Sequence, residues 1–257
     1  MTTITTIPVY NRRGKRVTSI HRDDFVKIND PEEAFFDVQE NFVIIRDRFF
    51  RPPHLVMPWT FWIQGEKVSS QPLQKHCKKV LFILASPNRY EFDYSNEFKA
   101  GRPLSKKSFA NFRETFPQLM QHLDGSGEEC FEVTFYNMVP FQTSLFLLFK
   151  KSADKLTRFN CWLHGWYGMK YQREFEAFIK KNRFDYCFNA STKMFKKMVS
   201  QELSRHLSCE YQLHHPASSY WSRKKLNLGL KKIIHKETQE MAQWEQIDFD
   251  DNTFISR

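Results

Sequence analysis

Three strand-like runs in this chain each break off into a short polar segment. Val80-Leu81-Phe82-Ile83-Leu84 is followed by Ala85-Ser86-Pro87-Asn88, and Phe131-Glu132-Val133-Thr134-Phe135-Tyr136 is followed by Asn137. Glu210-Tyr211-Gln212-Leu213 leads into His214-His215-Pro216-Ala217-Ser218-Ser219-Tyr220-Trp221. Runs of this length and composition read as buried strands. In an open parallel α/β sheet the ligand crevice lies outside the carboxyl ends of the strands, so the three polar segments are expected to converge there.

The intervening pattern supports such a sheet. A helix is predicted from about Ser105 to Leu123, with Ser105 as N-cap and Phe109, Phe112, Phe116, Leu119 and Leu123 on one face. Pro117 is expected to kink or divide it. Residues 143–182 read as largely helical with breaks at Gly165 and Gly168, Phe184–Phe188 as a third strand, and Ser191–His206 as a basic helix leading to the last strand. A final helix is predicted from about Ser222 to His235. This alternation predicts a three-layer αβα arrangement around a central four-stranded, mostly parallel sheet. Residues 1–30 are expected to form a loose basic arm, 31–240 a single α/β domain, and 241–257 a frayed acidic tail.

Composition bounds the partners and the compartment. A net charge of +10 over 257 residues points to a polyanionic partner, nucleic acid first. Five cysteines, Cys77, Cys130, Cys161, Cys187 and Cys209, are odd in number and widely spaced, which predicts reduced thiols in a cytoplasmic protein. Cys187 falls inside a predicted strand, as a small core residue. No run of about 18 apolar residues occurs, so no membrane span is expected. Between Ser86 and Asp93 there is no glycine, which argues against the Gly-x-Gly-x-x-Gly phosphate turn of a nucleotide-binding metabolic enzyme.

His215-Pro216-Ala217-Ser218-Ser219-Tyr220 resembles the His-Pro loop that follows the last strand in the uracil-DNA glycosylase superfamily. Ser86-Pro87-Asn88 is similar to that family's first signature, and Asn137 to its strand-terminal, pyrimidine-reading Asn. The resemblance spans about Val80 to His235. It implies a monofunctional glycosylase that flips a nucleotide out of double-stranded DNA and hydrolyses its N-glycosidic bond, with water as nucleophile and no metal or organic cofactor. It also implies a monomer with DNA, not membrane, as its partner. His215 would stabilise the carbonyl oxygen of the leaving base, with His214 as the rival for that role. Ser218 and Ser219 would hold phosphates, and Tyr220 and Trp221 would wedge into the minor groove, unless Trp221 packs under the final helix.

The departures from the family pattern matter too. Ser86 stands where the efficient uracil enzymes carry Asp, so Asn88, Glu91 or Asp93 would have to orient or activate water, Asp93 being preferred. Leu104 replaces the ring that stacks on the flipped base, with Tyr90 or Phe92 as substitutes. A pocket so altered suits a modified pyrimidine such as the glucosylated hydroxymethylcytosine of phage DNA, in anti-phage defence. Uracil or mismatch repair, and a catalytically silent DNA-binding module of the same fold, are the alternatives.

Overall fold

Five consecutive apolar residues from Val80 to Leu84 are all fully buried, which only a strand covered on both faces allows. A computed structural model describes residues 6–11, 16–21, 36–37, 42–43, 55–93, 99–127, 129–144, 152, 155–168, 170–218, 220–221 and 229–235. In it this strand, β7 (Lys78–Leu84), is the centre of a seven-stranded mixed sheet. The strands before it are β1 (Thr6–Asn11), β2 (Arg16–His21), β3 (Phe36–Asp37), β4 (Phe42–Val43), β5 (Trp59–Gln64) and β6 (Lys67–Ser69). After it come β8 (Phe92–Asp93), β9 (Lys99–Ala100), helix α1 (Lys106–Asp124) and β10 (Cys130–Asn137). Helix α2 (Lys155–Leu163) runs through a π-helical turn, His164–Gly168, towards α3 (Tyr171–Lys181). Then follow β11 (Tyr186–Asn189), α4 (Lys193–Leu203), β12 (Cys209–Gln212) and β13 (Lys231–Ile234).

The sheet order is β13-β12-β11-β7-β10-β5-β6. Its four inner strands β12, β11, β7 and β10 are parallel and are the four expected from sequence. Counted along the chain, they stand in the order second, first, third, fourth. The chain therefore winds one way from β7 to β10 and the other way to β11, which puts a topological switch point between β7 and β11.

The sheet is larger than the four strands expected. Both outer parallel strands have a free edge of backbone donors and acceptors, and each edge is covered antiparallel: β10 by the β5–β6 hairpin and β12 by β13. β13 also corrects the expected last helix, because Lys231–Ile234 is extended against Cys209–Gln212. The rest of that expected helix, 222–228, lies outside the described residues, as does the acidic tail. Within the segment expected as an arm, β1 and β2 pair antiparallel and join β4 and β3 in a separate sheet.

Two apolar layers hold the sheet. On one face Phe82, Leu84, Phe131, Val133, Phe135 and Phe188 pack under Phe112, Phe116, Leu119 and Met120 of α1. On the other, Leu81, Ile83, Tyr136 and Cys187 meet Trp162 of α2, Trp166 of the π-helical turn, Phe175 of α3, and Phe195 and Met198 of α4. The three layers expected from the sequence are thus present. Ser105 caps α1 by accepting the Ser108 N–H, and Gly125 closes it in the left-handed conformation (φ 74°) that glycine adopts most readily. Pro117 lies inside α1 without dividing it, on a half-buried flank where the carbonyl of exposed Arg113, which loses its helical donor, can be met by solvent.

Two of the cysteines expected to be reduced, Cys77 and Cys130, are disulfide-bonded. The parallel register sets Lys78 opposite Phe131, so the residues just before them meet across β7 and β10. Cys187 is buried in β11, as expected. Among the described residues no helix is long and apolar enough to cross a membrane.

Candidate functional site

The carboxyl ends of β7, β10, β11 and β12 surround a cleft of about 450 Å³, within the range of small-molecule sites. After β7 it is lined by residues 85–90, after β10 by Thr143 and Ser144, and after β12 by His215, Ala217 and Ser218. Ser152, Arg158, Thr192 and Phe195 complete the wall. The three polar segments do converge on this end of the sheet, but not all of their side chains reach the cleft.

Ser86 does. Its Oγ lies 2.8 Å from Thr143 Oγ1, so the two loops share a hydroxyl pair. The backbone behind it is fixed, since Ala85 O accepts both the Val139 N–H (3.1 Å) and the Trp162 indole N–H (2.9 Å). Asn88 also lines the cleft, but its Oδ1 accepts the Tyr90 N–H and caps the 3-10 turn Arg89–Glu91. Tyr90 is an exposed rim residue whose hydroxyl accepts from Arg89 Nη2 at 2.7 Å.

His215 is the histidine of the cleft. Its Nδ1 accepts the Ala217 N–H at 3.0 Å, which leaves the ring proton on Nε2. Burial, aided by the Lys196 charge, pushes its pKa down to about 4, so the imidazole is neutral at pH 7. Lys196 on α4 donates to Leu213 O and to Asn189 O (3.2 Å), tying the ends of β12 and β11 together directly behind the His-Pro loop. Burial lowers the Lys196 pKa to about 8, against the attraction of the buried Glu210.

His214 does not line the cleft; its ring stacks on Tyr220 with centroids 4.3 Å apart, and its carbonyl accepts the Trp221 indole N–H at 2.7 Å. A Cβ on Gly229 (φ 58°) would stand 2.7 Å from its Nε2, so glycine is needed both for the turn and for the close approach. Trp221 is fully buried and stacks on Phe112, which corrects its expected role as a wedge. A large indole beside an aromatic core gains more by burial than it could at a solvent-facing tip. Tyr220 remains exposed, Ser218 lines the cleft, and Ser219 lies outside the described residues.

Asn137 and Leu104 form a neighbouring site. Both are buried, neither lines the cleft, and between them sits Glu91, 5% exposed. Burial pushes the Glu91 pKa up to about 8, opposed in part by the backbone N–H groups of Asn88 and Leu104 and by the nearby Asn137 side chain. That amide is close without meeting hydrogen-bond geometry: Asn137 Nδ2, Asn137 Oδ1 and Glu91 Oε2 all lack a partner. Leu104 adopts φ 71°, unusual for its type, where its N–H serves the carboxyl. Asp93 pairs with Lys99 in the β8–β9 hairpin, and its side chain is not among those described.

Sequence reasoning missed Thr143, Arg158 and Lys196. Thr143 lies six residues past the end of β10, beyond the apolar Met138-Val139-Pro140-Phe141, so the strand-end argument that found Asn137 did not reach it, and Lys196 was hidden among seven lysine pairs. The lining described contains no carboxylate, so the chemistry it offers is donation: a neutral imidazole N–H, paired hydroxyls and the guanidinium groups of Arg89 and Arg158. No family model, curated protein or solved structure matches this chain.

Proposed function

We propose that the chain is a DNA glycosylase that hydrolyses the N-glycosidic bond of a flipped-out, modified pyrimidine and leaves an abasic site. The observation that carries this reading is His215, a neutral ring with its proton on Nε2, lining a cleft at the carboxyl ends of parallel strands. As the C1′–N1 bond breaks, the base departs with the bonding pair and negative charge grows on its carbonyl oxygen. A neutral imidazole N–H can bond that oxygen without giving up its proton, and one preorganised donor of this kind is worth about 100-fold in rate. Water adds to C1′ from the Ser86–Thr143 hydroxyl pair, and its proton finally neutralises the departed base.

That Asn137 does not line the cleft favours a substrate other than plain uracil, such as glucosylated hydroxymethylcytosine in phage DNA, with the protein acting as a monomer in anti-phage defence. A specific observation favours a second reading, a silent DNA-binding module: the described cleft lining has no carboxylate to act as a base.

Labelled duplexes carrying uracil, hydroxymethylcytosine or glucosylated hydroxymethylcytosine, treated with alkali after incubation, separate these readings. Cleavage of the glucosylated duplex, reduced about 100-fold by His215→Ala, is the expected result. Cleavage of uracil alone would assign repair. Binding without cleavage of any duplex would assign the silent module.

A further inference from the structure

Arg158 is the one guanidinium of the described cleft lining that α2 supplies. It is half-buried, its Nε is wholly buried without a hydrogen-bond partner, and no described carboxylate pairs with it. Burial disfavours its charged form. A charge taken out of water without a counter-charge is costly, so a cleft that keeps one is complementary to an anion. Ser218, on the same cleft wall system, also has a buried Oγ with no partner, and Thr192 offers a hydroxyl that makes no cap bond to its own helix.

We propose that Arg158, with the hydroxyls of Ser218 and Thr192, forms a phosphate subsite within the cleft, and that the phosphodiester of a DNA strand next to the flipped nucleotide occupies it. A planar fork of donors with hydroxyls beside it suits a tetrahedral oxyanion. The net charge of +10 would draw the backbone towards it. The inference rests on the proposed function only for the source of the phosphate. Phosphate contacts position a strand without reading sequence, so Arg158 is a positioning residue.

The test measures binding of the full chain to a short duplex containing a stable abasic analogue between about 50 and 200 mM salt, alongside thermal unfolding with and without inorganic phosphate. Arg158→Gln is expected to reduce the slope of log affinity against log salt by about 1, and Arg158→Lys to retain it. Inorganic phosphate is expected to stabilise the wild type and not Arg158→Gln. An unchanged slope with a lost phosphate response would keep the subsite but overturn DNA as its source, in favour of a free phosphorylated ligand. Neither effect, in Arg158→Gln protein that melts as the wild type does, would overturn the proposal. If Arg158→Gln fails to fold, loss of slope in the folded Arg158→Lys variant overturns it instead. A reduced slope in a protein that cleaves no duplex leaves the subsite standing and removes the glycosylase reading; cleavage without either effect does the reverse.

Discussion

Glu91 holds a proton that a carboxyl in water would have lost. Its carboxyl returns to the Asn88 N–H while Asn88 accepts the Tyr90 N–H, a capping box on a single turn, and it reaches the Leu104 N–H as well. The loop after β7 is thereby fastened to the segment that starts α1. The sign of its pH effect follows from linkage. The unfolded chain releases this proton near 4.5 and the folded chain near 8, so the contribution to stability is full below about 4.5 and is lost as pH rises to 8. The slope approaches roughly 1.4 kcal/mol per pH unit within that window. Glu91→Gln should flatten it, and denaturant unfolding at several pH values from 5 to 8 measures it. A slope equally steep in the variant would assign the effect to other groups. For Asn137 only the place at the end of a strand was legible; which side of the strand end opens to the cleft depends on where Glu91 and Leu104 pack.

At the scale of elements, the four parallel strands and the cap of α1 were legible because their signals are local: the unbroken apolar run of β7, the aromatic and β-branched residues of the other strands, and a serine before a helical stripe. The edge strands were not. Lys231-Lys232-Ile233-Ile234 has no strong pattern of its own, and it is extended because β12 has an edge to cover. Trp221 illustrates the same dependence, since only the position of α1 makes it core. The joint between α4 and the strand ends was equally hidden, although one side chain makes it. Lys196 supplies the donor for the last carbonyls of both β11 and the β12 loop. Lys196→Met should destabilise the protein by about 2–3 kcal/mol, the scale of losing hydrogen bonds from a charged donor. It should also raise the His215 pKa while leaving it below the ordinary 6.5, because burial is the larger of its two causes. NMR titration of the His215 ring reads the second effect. A His215 pKa that does not move would show that Lys196 ties the strands without tuning the site.

Across the whole molecule the two ends of the parallel strands have different tasks. Polar loops and the cleft occupy the carboxyl ends, while Cys77 and Cys130 are bonded at the opposite ends of β7 and β10. The sequence spacing of the cysteines carries no hint of this pair, because only the register of two strands joined through α1 sets them side by side. The bond closes a loop with a sequence separation of 53, for which chain entropy predicts about 4 kcal/mol of stabilisation through the unfolded state. That loop contains β7, α1 and the Ser86 segment, so the bond limits how far the unfolded chain can separate elements that must later pack together. A double variant, Cys77→Ser with Cys130→Ser, should unfold at lower denaturant by about that amount. The wild type should approach it when a reductant is added. Because the bond lies across the sheet from the cleft, DNA binding and any cleavage at saturating stability should be unchanged in the double variant. If thiol labelling of the native protein instead found both cysteines reactive, and the reductant shifted nothing, β7 and β10 would be held by their hydrogen-bond ladder and packing, without the bond.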